Sequence, residues 1–503
     1  MLDMLPVLKS TLKNTFIYSI GTFSSRLAGF ILIPLYTSHF SVEQYGIMGI
    51  MEVTAQVLLA LLGFSLYNAF FRWYWDKNYI DKQKSILFTI LVFLLFQIAL
   101  FLVLISSFQH ELSYLLFDSD RYSYLIQLLL IVSGFEAVGV LVSTLLRLKE
   151  RAAFYTLLQV VKLTVSLLLT VYLIVYRNRS IEAVYEAQLI ANLLYFVLIF
   201  NVLRNNVRIK LEWKILRDML SFSLPLVLTS VSGIILNITD RYSLRFLSDM
   251  ANVGVYSLGF KVANTIRVFL ITSVNLALQP MIFKMMDDPG NKRFYSKVMT
   301  YFTFGLMFFV LFFSLYAPEI IKVISKKNMA YWDAYQIVPV LSFSMLFSML
   351  RDVAYTGLNI TKKTKIIAVL ILLAALLNIL LNMLFIPAWS FYGAAIATTL
   401  SQAIFFVAVY YFAQRHYPIP YEIKKLVLMI FTGICLYSAG LLSNSFPLVM
   451  RLTVKLLLIA SFPLILYWFG FYESIELERL GQFWIKWRNP LRWSKNLSKM
   501  KLN

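Results

Sequence analysis

The sequence predicts an all-helical protein that crosses a membrane about fourteen times. Three observations carry that prediction. Hydrophobic residues make up 60% of the chain and charged residues 14%, and the mean hydropathy is +0.74. Apolar stretches of about 20 residues, the length that a bilayer core of about 30 Å requires, recur from end to end. The few charges inside those stretches sit at helical spacing. A charge at mid-bilayer costs about 2.5–3.5 kcal/mol even on insertion scales, so such residues face an interior and usually serve one.

The expected spans, in order, are residues 12–37, 46–68, 85–108, 122–146, 152–176, 181–203, 217–240, 252–279, 295–316, 333–357, 365–386, 391–414, 424–442 and 449–470. Span 1 follows Lys9 and holds Lys13 at its inner end, and span 2 restarts on Gly46 and ends before Arg72. Span 3 begins after Lys84, span 4 runs from Arg121 to Arg147, and span 5 lies between Arg151 and Arg177. Span 6 closes at Arg204, span 7 holds Pro225 and ends at Asp240, and span 8 begins near Gly254. Span 9 follows Lys292 and Arg293, span 10 follows Lys326 and Lys327, and span 11 follows Lys362 and Lys363. Span 12 ends at Arg415, span 13 follows Lys424, and span 14 starts near Arg451. With the N-terminus inside, about 31 Lys and Arg fall on inner segments against about 9 on outer ones. The positive-inside rule then puts both termini in the cytoplasm. The net charge of +21 reads as this topology plus attraction to anionic lipid, not as nucleic-acid binding.

Two regions about 208 residues apart look alike. PLYTSHFSVEQYGIMGI (Pro34 to Ile50) and DRYSLRFLSDMANVGVYSLGFKVA (Asp240 to Ala263) each end a span, cross a short outer turn and restart on glycine, Gly46 or Gly254. RLKERAAF from Arg147 and NITKKTKI from Asn359 are a second pair, both short basic inner turns. Six spans per half then imply parallel repeats. The expected organisation is an N-terminal segment 1–11, a six-helix bundle 12–203, a linker 204–216, a second six-helix bundle 217–414, two further helices in 424–470, and a basic amphipathic tail 471–503. The tail mixes Trp484, Trp487 and Trp493 with Lys486, Arg488 and Arg492, as an interfacial helix does.

No expected connection is longer than about 20 residues, so separate catalytic chemistry has no soluble domain to occupy. Asp3 interrupts the N-terminus, and no cleavable signal is expected. Cys435 lies in an apolar run and reads as core packing. The three histidines are scattered in connections, so no metal site is expected. Asp118 and Asp120 form a D-x-D, which reads as loop solvation. No phosphate-binding loop of the nucleotide-hydrolysing type is present.

At 100° per residue the buried charges fall on polar stripes. Span 1 carries Arg26, span 2 Glu52 and Gln56, span 4 Ser133 and Glu136, and span 5 Gln159, Lys162 and Ser166. Span 8 carries Lys261 and Asn264 with Arg267 about 60° beyond, and span 10 carries Arg351 and Asp352. Pairs such as Glu52 with Arg26 and Glu136 with Lys162 would join helices. Arg26, Lys261, Arg267 and Arg351 are left as a cation excess, which implies an anionic guest. Arginine forks suit phosphate. Lys455 has no polar stripe and reads as a packing or snorkelling residue.

The stretch Leu220 to Ala263 resembles the polysaccharide flippase family. Pro225, the Asp240-Arg241-Tyr242 sequence, and Gly254 leading to Lys261 carry the resemblance. The opening TFIYSIGTFSSRLAGFILIPLYTSHFSVEQYG is similar to that family's first span and turn, with Ser38 and Val42 where members usually have arginine and often proline. The resemblance implies two six-helix bundles around a cavity that opens alternately to each side. It also implies an undecaprenyl-pyrophosphate-linked oligosaccharide as substrate, destined for O-antigen, capsule or exopolysaccharide. On this expectation Arg26, Lys261, Arg267 and Arg351 hold the pyrophosphate. Glu52, Glu136 and Asp352 are the candidates for proton or sodium coupling. Beyond the substrate, the partners expected are membrane lipids and a polysaccharide polymerase, with no cofactor. A lipid II flippase and a multidrug extruder of the same superfamily remain alternatives.

Overall fold

The protein is described here by a computed structural model, which describes residues 29–272, 278, 281–282, 284–286, 288–326 and 328–478, apart from the side chains at 228, 229, 232, 236 and 237. The helices in chain order are α1 Ile33–His39, α2 Val42–Gly63, α3 Leu66–Tyr74, α4 Gln83–Ser107, α5 Gln109–Phe117, α6 Ser123–Leu148, α7 Ala152–Val171, α8 Glu182–Asn206, α9 Trp213–Leu247, α10 Met250–Ile266, α11 Asn291–Leu315, α12 Ala317–Ser325, α13 Ile337–Ile360, α14 Thr364–His416, α15 Ile423–Leu442 and α16 Leu448–Trp468.

Ten helical stretches among the described residues are long and apolar enough to cross a membrane, which makes this a multi-pass membrane protein. The expected count is larger for physical reasons visible along the chain. Span 1 falls mostly on residues 1–28, outside the described set. At span 7, α9 has five side chains outside it, and at span 8, α10 runs for 17 residues before it passes into a π-helical turn, Arg267–Ile271. The 53-residue α14 counts once, yet Ser390 (φ 48°, ψ −129°) folds it into two arms. Gly393 permits the reversal, because a Cβ there would strike the Phe385 carbonyl. Span 2 also breaks where it was expected to run on. Phe64 and Ser65 both take left-handed φ values, 45° and 50°, which end α2 and start α3.

Compactness groups the chain into two units. The first holds Met1–Gln279 and Ala317–Tyr417, and the second Pro280–Tyr316 and Pro418–Asn503. In the first, Ser41 caps α2: its hydroxyl accepts from the Gln44 amide at 3.2 Å, and the Gln44 side chain accepts from the Ser41 amide at 3.0 Å. This capping box fixes the start of α2, which then crosses α10 at close range. A Cβ on Gly46 would meet the Met250 carbonyl, one on Gly254 the Val42 carbonyl, and one on Gly49 the Ser257 hydroxyl. Small residues let helix backbones approach this closely. Around the same end, Thr37 Oγ1 donates to the Ile324 carbonyl at 2.8 Å and Tyr331 OH to the Ser41 carbonyl at 3.0 Å.

In the second unit, α11, α15 and α16 pack through small and aromatic residues. Gly433 abuts Met307 and Gly440 abuts Leu315, and the Phe304 ring stacks on Phe462 and Phe471, both at 5.8 Å. Lys455 is 1% exposed, with its ammonium 6.0 Å from the Tyr316 ring, a packing position. Cys435, expected in the core, is instead exposed on α15. In a bilayer the outward face of a helix is apolar too, so hydropathy does not separate the two. Near the start of α11, Lys297 bonds Glu422 at 2.9 Å and also Glu473. The Lys297 bond holds the Glu473 carboxyl below the usual carboxylate range. Burial pushes Glu422 up, but bonds from Thr300, Lys297 and Lys425 outweigh it and leave that carboxyl low as well. Of the expected tail, residues 479–503 lie outside the described set.

Candidate functional site

A cavity of about 540 Å³ lies within the first unit, walled by α1, α2, α6, α7, α8 and α10. The polar stripes of spans 2, 4 and 5 all open into it: Glu52 and Gln56 from α2, Ser133 and Glu136 from α6, and Gln159, Lys162 and Ser166 from α7. Lys261 enters from α10. Residues three and four apart share a helix face, which is why each stripe presents its members together.

The four charges form two close pairs. Lys261 Nζ lies 2.5 Å from Glu52 Oε1, and Lys162 Nζ lies 2.5 Å from Glu136 Oε1. Asn192 adds a bond to Glu136 Oε1 at 3.4 Å. Each ammonium also faces a tyrosine ring, Lys261 over Tyr45 at 5.3 Å and Lys162 over Tyr195 at 5.6 Å, an attraction to the negative ring face. The side chains of Lys261 and Lys162 are 20% and 17% exposed, against 36% and 40% for Glu52 and Glu136. The amines are tucked between carboxylate and ring, and the carboxylates are the wetter partners.

The pairing differs from the expectation in two places. Lys261, expected as a free cation, is bound by Glu52. Glu52 was expected to pair with Arg26, which lies outside the described residues. Arg351, also expected as an anion ligand, bonds Asp352 and Gln402 at 2.7 Å and Ser348 at 3.0 Å. Its guanidinium is 4.9 Å from the Phe405 ring, and it does not line this cavity. A buried cation needs a counter-charge and hydrogen bonds, and helix crossings supply partners that spacing along one helix does not show. Arg267 does not line the cavity either. It opens a π-helical turn, Arg267–Ile271, at the end of α10, where Thr272 Oγ1 donates to its carbonyl at 3.0 Å.

The Asp240-Arg241-Tyr242 sequence builds a second polar centre. Asp240 is 1% exposed and accepts from Tyr256 OH at 2.5 Å, Thr398 Oγ1 at 2.5 Å and Asn382 Nδ2 at 3.0 Å. These partners are neutral. Asn382 Oδ1 and Asn378 Nδ2 are buried with no hydrogen-bond partner. The carboxylate, amide and hydroxyl oxygens here are a donor set that a proton or a small hard cation could use. Asn378 and Asn382 are the residues the sequence reading missed. Their signal was two asparagines four apart in the apolar run LLNILLNML. Arg241 lies 4.9 Å from the Phe260 ring, and Tyr242 OH bonds Thr54 at 2.7 Å. Pro225 sits inside α9.

A further cavity of about 340 Å³ shares Gln56 and Leu59 with the first, and its other walls are mostly apolar, including Leu94, Leu141 and Ile234. The D-x-D aspartates are taken by side-chain pairs, Asp118 with Arg245 at 2.7 Å and Asp120 with His110 at 2.5 Å.

Comparison with known proteins places this geometry. The chain is 23% identical over 225 residues to a membrane protein of uncharacterised function from Methanocaldococcus jannaschii, an alignment covering 44% of each chain. Thus less than half of that relative's length is spanned. Among solved structures, the lipid II flippase MurJ in an inward closed conformation superposes with a TM-score of 0.74 at 16% identity, covering 90% of this chain and 99% of the other. An inward-facing multidrug resistance transporter of the MATE family, in the MOP superfamily, gives a TM-score of 0.63 at 12% identity, covering 79% and 94%. Both neighbours are transporters, and the likeness establishes the fold they share. The profile of the family described as polysaccharide biosynthesis protein matches residues 11–286, more than half of the chain, and the protein belongs to that family.

Proposed function

We propose that the protein is a flippase that moves an undecaprenyl-pyrophosphate-linked oligosaccharide from the inner to the outer leaflet of a bacterial cytoplasmic membrane. It would do so by alternating access, with both termini cytoplasmic and two six-helix bundles rocking about a central cavity. The observation that carries this reading is the cavity of about 540 Å³ with two lysines held by two glutamates. Its size falls within the range of about 300–1,000 Å³ common to ligand pockets. A pyrophosphate entering it competes with Glu52 and Glu136 for Lys261 and Lys162. Arg26, expected on span 1, would join that set. The amides and hydroxyls of Gln56, Gln159 and Ser166 suit sugar hydroxyls, and the adjoining apolar cavity suits the start of the prenyl chain.

The chemistry asks for little more than binding and release. An inside-negative potential favours outward movement of an anion by about 2.3 kcal/mol per charge per 100 mV. Protonation of Glu52 or Glu136 would free a lysine for the anion, which ties a proton to loading. Asp352, held by Arg351 away from the cavity lining, fits that role less well than Asp240 with its neutral partners.

One observation favours a second reading. The glutamates are more exposed than the lysines, as a cavity for organic cations would require, and that reading is a multidrug extruder. A proteoliposome assay separates the two. Wild type should flip a short lipid-pyrophosphate-linked oligosaccharide, and Lys261→Ala and Lys162→Ala should each slow it at least tenfold. Efflux of organic cations by folded wild type, without flipping of the lipid, would reject the flippase.

A further inference from the structure

Away from the cavity, the fold gathers cations from three elements into one place. Lys84 lies in the first turn of α4, Lys149 and Arg151 lie in the turn between α6 and α7, and Arg204 and Arg208 lie at the end of α8 and just beyond it. The Lys149 ammonium donates to Asn206 Oδ1, and the Arg208 amide donates to the Lys84 carbonyl at 3.3 Å. The Arg151 amide bonds the Leu146 carbonyl at 2.9 Å, and Glu150 turns the chain with a φ of 55°. Among the described residues no ion pair joins these five cations to a carboxylate. Two carboxylates are close in sequence. Glu212 is engaged by Lys210 at 3.0 Å and Lys82 at 3.6 Å, and Glu150 is exposed.

Basic residues at the inner ends of spans are ordinary topology signals, but such residues normally splay into water. Lys149 does not. Burial, with the like charges of Arg151 and Lys84, holds its ammonium below the ordinary lysine range. Crowding like charges without counter-ions raises the free energy of the fold unless an anion supplies the missing charge. The cluster lies at the ends of three apolar spans, Ile80–Ser107, Asp120–Leu148 and Glu182–Asn206, the depth at which lipid headgroups sit.

We propose that Lys84, Lys149 and Arg151 form a second anion site, distinct from the Lys162–Lys261 cavity, that binds a phosphate group carried on a lipid at the inner leaflet. This holds whether or not the flippase reading does. The ammonium of Lys149 makes the central contact, Lys84 and Arg151 flank the phosphate, and the lipid chain lies along the apolar ends of α4 and α6.

The test uses the full-length protein in phosphatidylcholine nanodiscs doped with phosphatidic acid. Lipid retention is read by native mass spectrometry, and protection of Lys149 by an amine-reactive label. Wild type should retain phosphatidic acid and protect Lys149, and Lys84→Gln/Arg151→Gln should weaken retention at least fivefold and expose Lys149. The charge-keeping Lys84→Arg/Arg151→Lys variant should behave as wild type, and a matched thermal unfolding curve in pure phosphatidylcholine shows that the neutral variant is folded. Lys162→Ala/Lys261→Ala should retain the lipid. Equal retention by wild type and the neutral variant overturns the site. Loss of retention in the cavity variant instead places the lipid in the cavity. Displacement by inorganic phosphate at the same concentration as the lipid would show a soluble ligand in place of a lipid-borne one.

Discussion

Gly46 and Gly254 face each other where α2 crosses α10, and the crossing is symmetric. A Cβ on Gly46 would strike the Met250 carbonyl, and one on Gly254 the Val42 carbonyl. Val42 and Met250, Gly46 and Gly254, and Gly49 and Ser257 are each 208 residues apart. A local two-fold relation therefore joins the two similar stretches where they meet. Six and seven residues further along the same helices, Glu52 and Lys261 make their ion pair. At 1.5 Å per residue that is about 10 Å, so the crossing and the cavity share two rods.

Gly46→Ala and Gly254→Ala should each force these backbones apart. Overpacking of this kind costs about 1–3 kcal/mol, here charged only to the conformation in which α2 and α10 touch. The expected result is a lower unfolding temperature. A cysteine placed at Ser41, beside the crossing, should also react faster with a membrane-impermeant maleimide. Unchanged reactivity with a lowered melting point would make the crossing a static packing feature and not a closure.

Breaking the Glu52–Lys261 pair from its two sides should give opposite binding effects. The pair is part-exposed, so its loss should cost on the order of 1–3 kcal/mol, between the surface and the buried cases. Glu52→Gln leaves Lys261 free for an anion and should tighten binding of a prenyl pyrophosphate several-fold. Lys261→Met removes the cation and should weaken it at least tenfold. The exchanged pair Glu52→Lys/Lys261→Glu should recover stability while altering affinity. Equal weakening in both single variants would mean that the pair only braces the helices.

The sequence made the polar faces legible because helical periodicity is local. Glu52 with Gln56, Ser133 with Glu136, and Gln159 with Lys162 were assigned to common faces, and they line one cavity. Partners across helices were less legible. Glu136 with Lys162 was expected, and the two join α6 and α7, neighbours in the chain. Glu52 with Lys261 was not, because 209 residues separate them and only the glycine crossing brings them together. Cys435 marks another limit, since a lipid-facing residue and a core residue have the same hydropathy. The Ser390 reversal was legible by contrast: spans 365–386 and 391–414 part at Pro387 to Ser390, and the chain turns there at a left-handed serine.

Asp240 offers a test confined to one atom pair. Its carboxylate accepts from Tyr256, Thr398 and Asn382, and Asp240→Asn keeps the shape while replacing one acceptor oxygen by a donor. One or more of those buried donors then loses its partner, at about 1–3 kcal/mol for an unsatisfied group. The melting temperature should fall. If the centre takes up a cation, the wild-type protein should gain stability with sodium concentration, and Asp240→Asn should not. A wild type indifferent to sodium would leave Asp240 a structural acceptor and return coupling to Glu52 and Glu136.

Acid should loosen the second unit first at Lys297. Glu473 and Glu422 are held below the usual carboxylate range by bonds from Lys297 and its neighbours. A carboxyl whose pKa is lowered in the folded state contributes stability that is fully present above its unfolded value, about 4.3. That stability is lost as pH falls through the folded value. Between pH 7 and 5 the wild-type unfolding temperature should therefore be flat with respect to these groups, and it should decline below about pH 4. Lys297→Met removes the shared donor, so it should be less stable than wild type at neutral pH, and the gap should narrow as both carboxyls become protonated. A gap that stays constant from pH 7 to pH 3 would mean that Lys297 acts through its packed methylene stem and not through its charge.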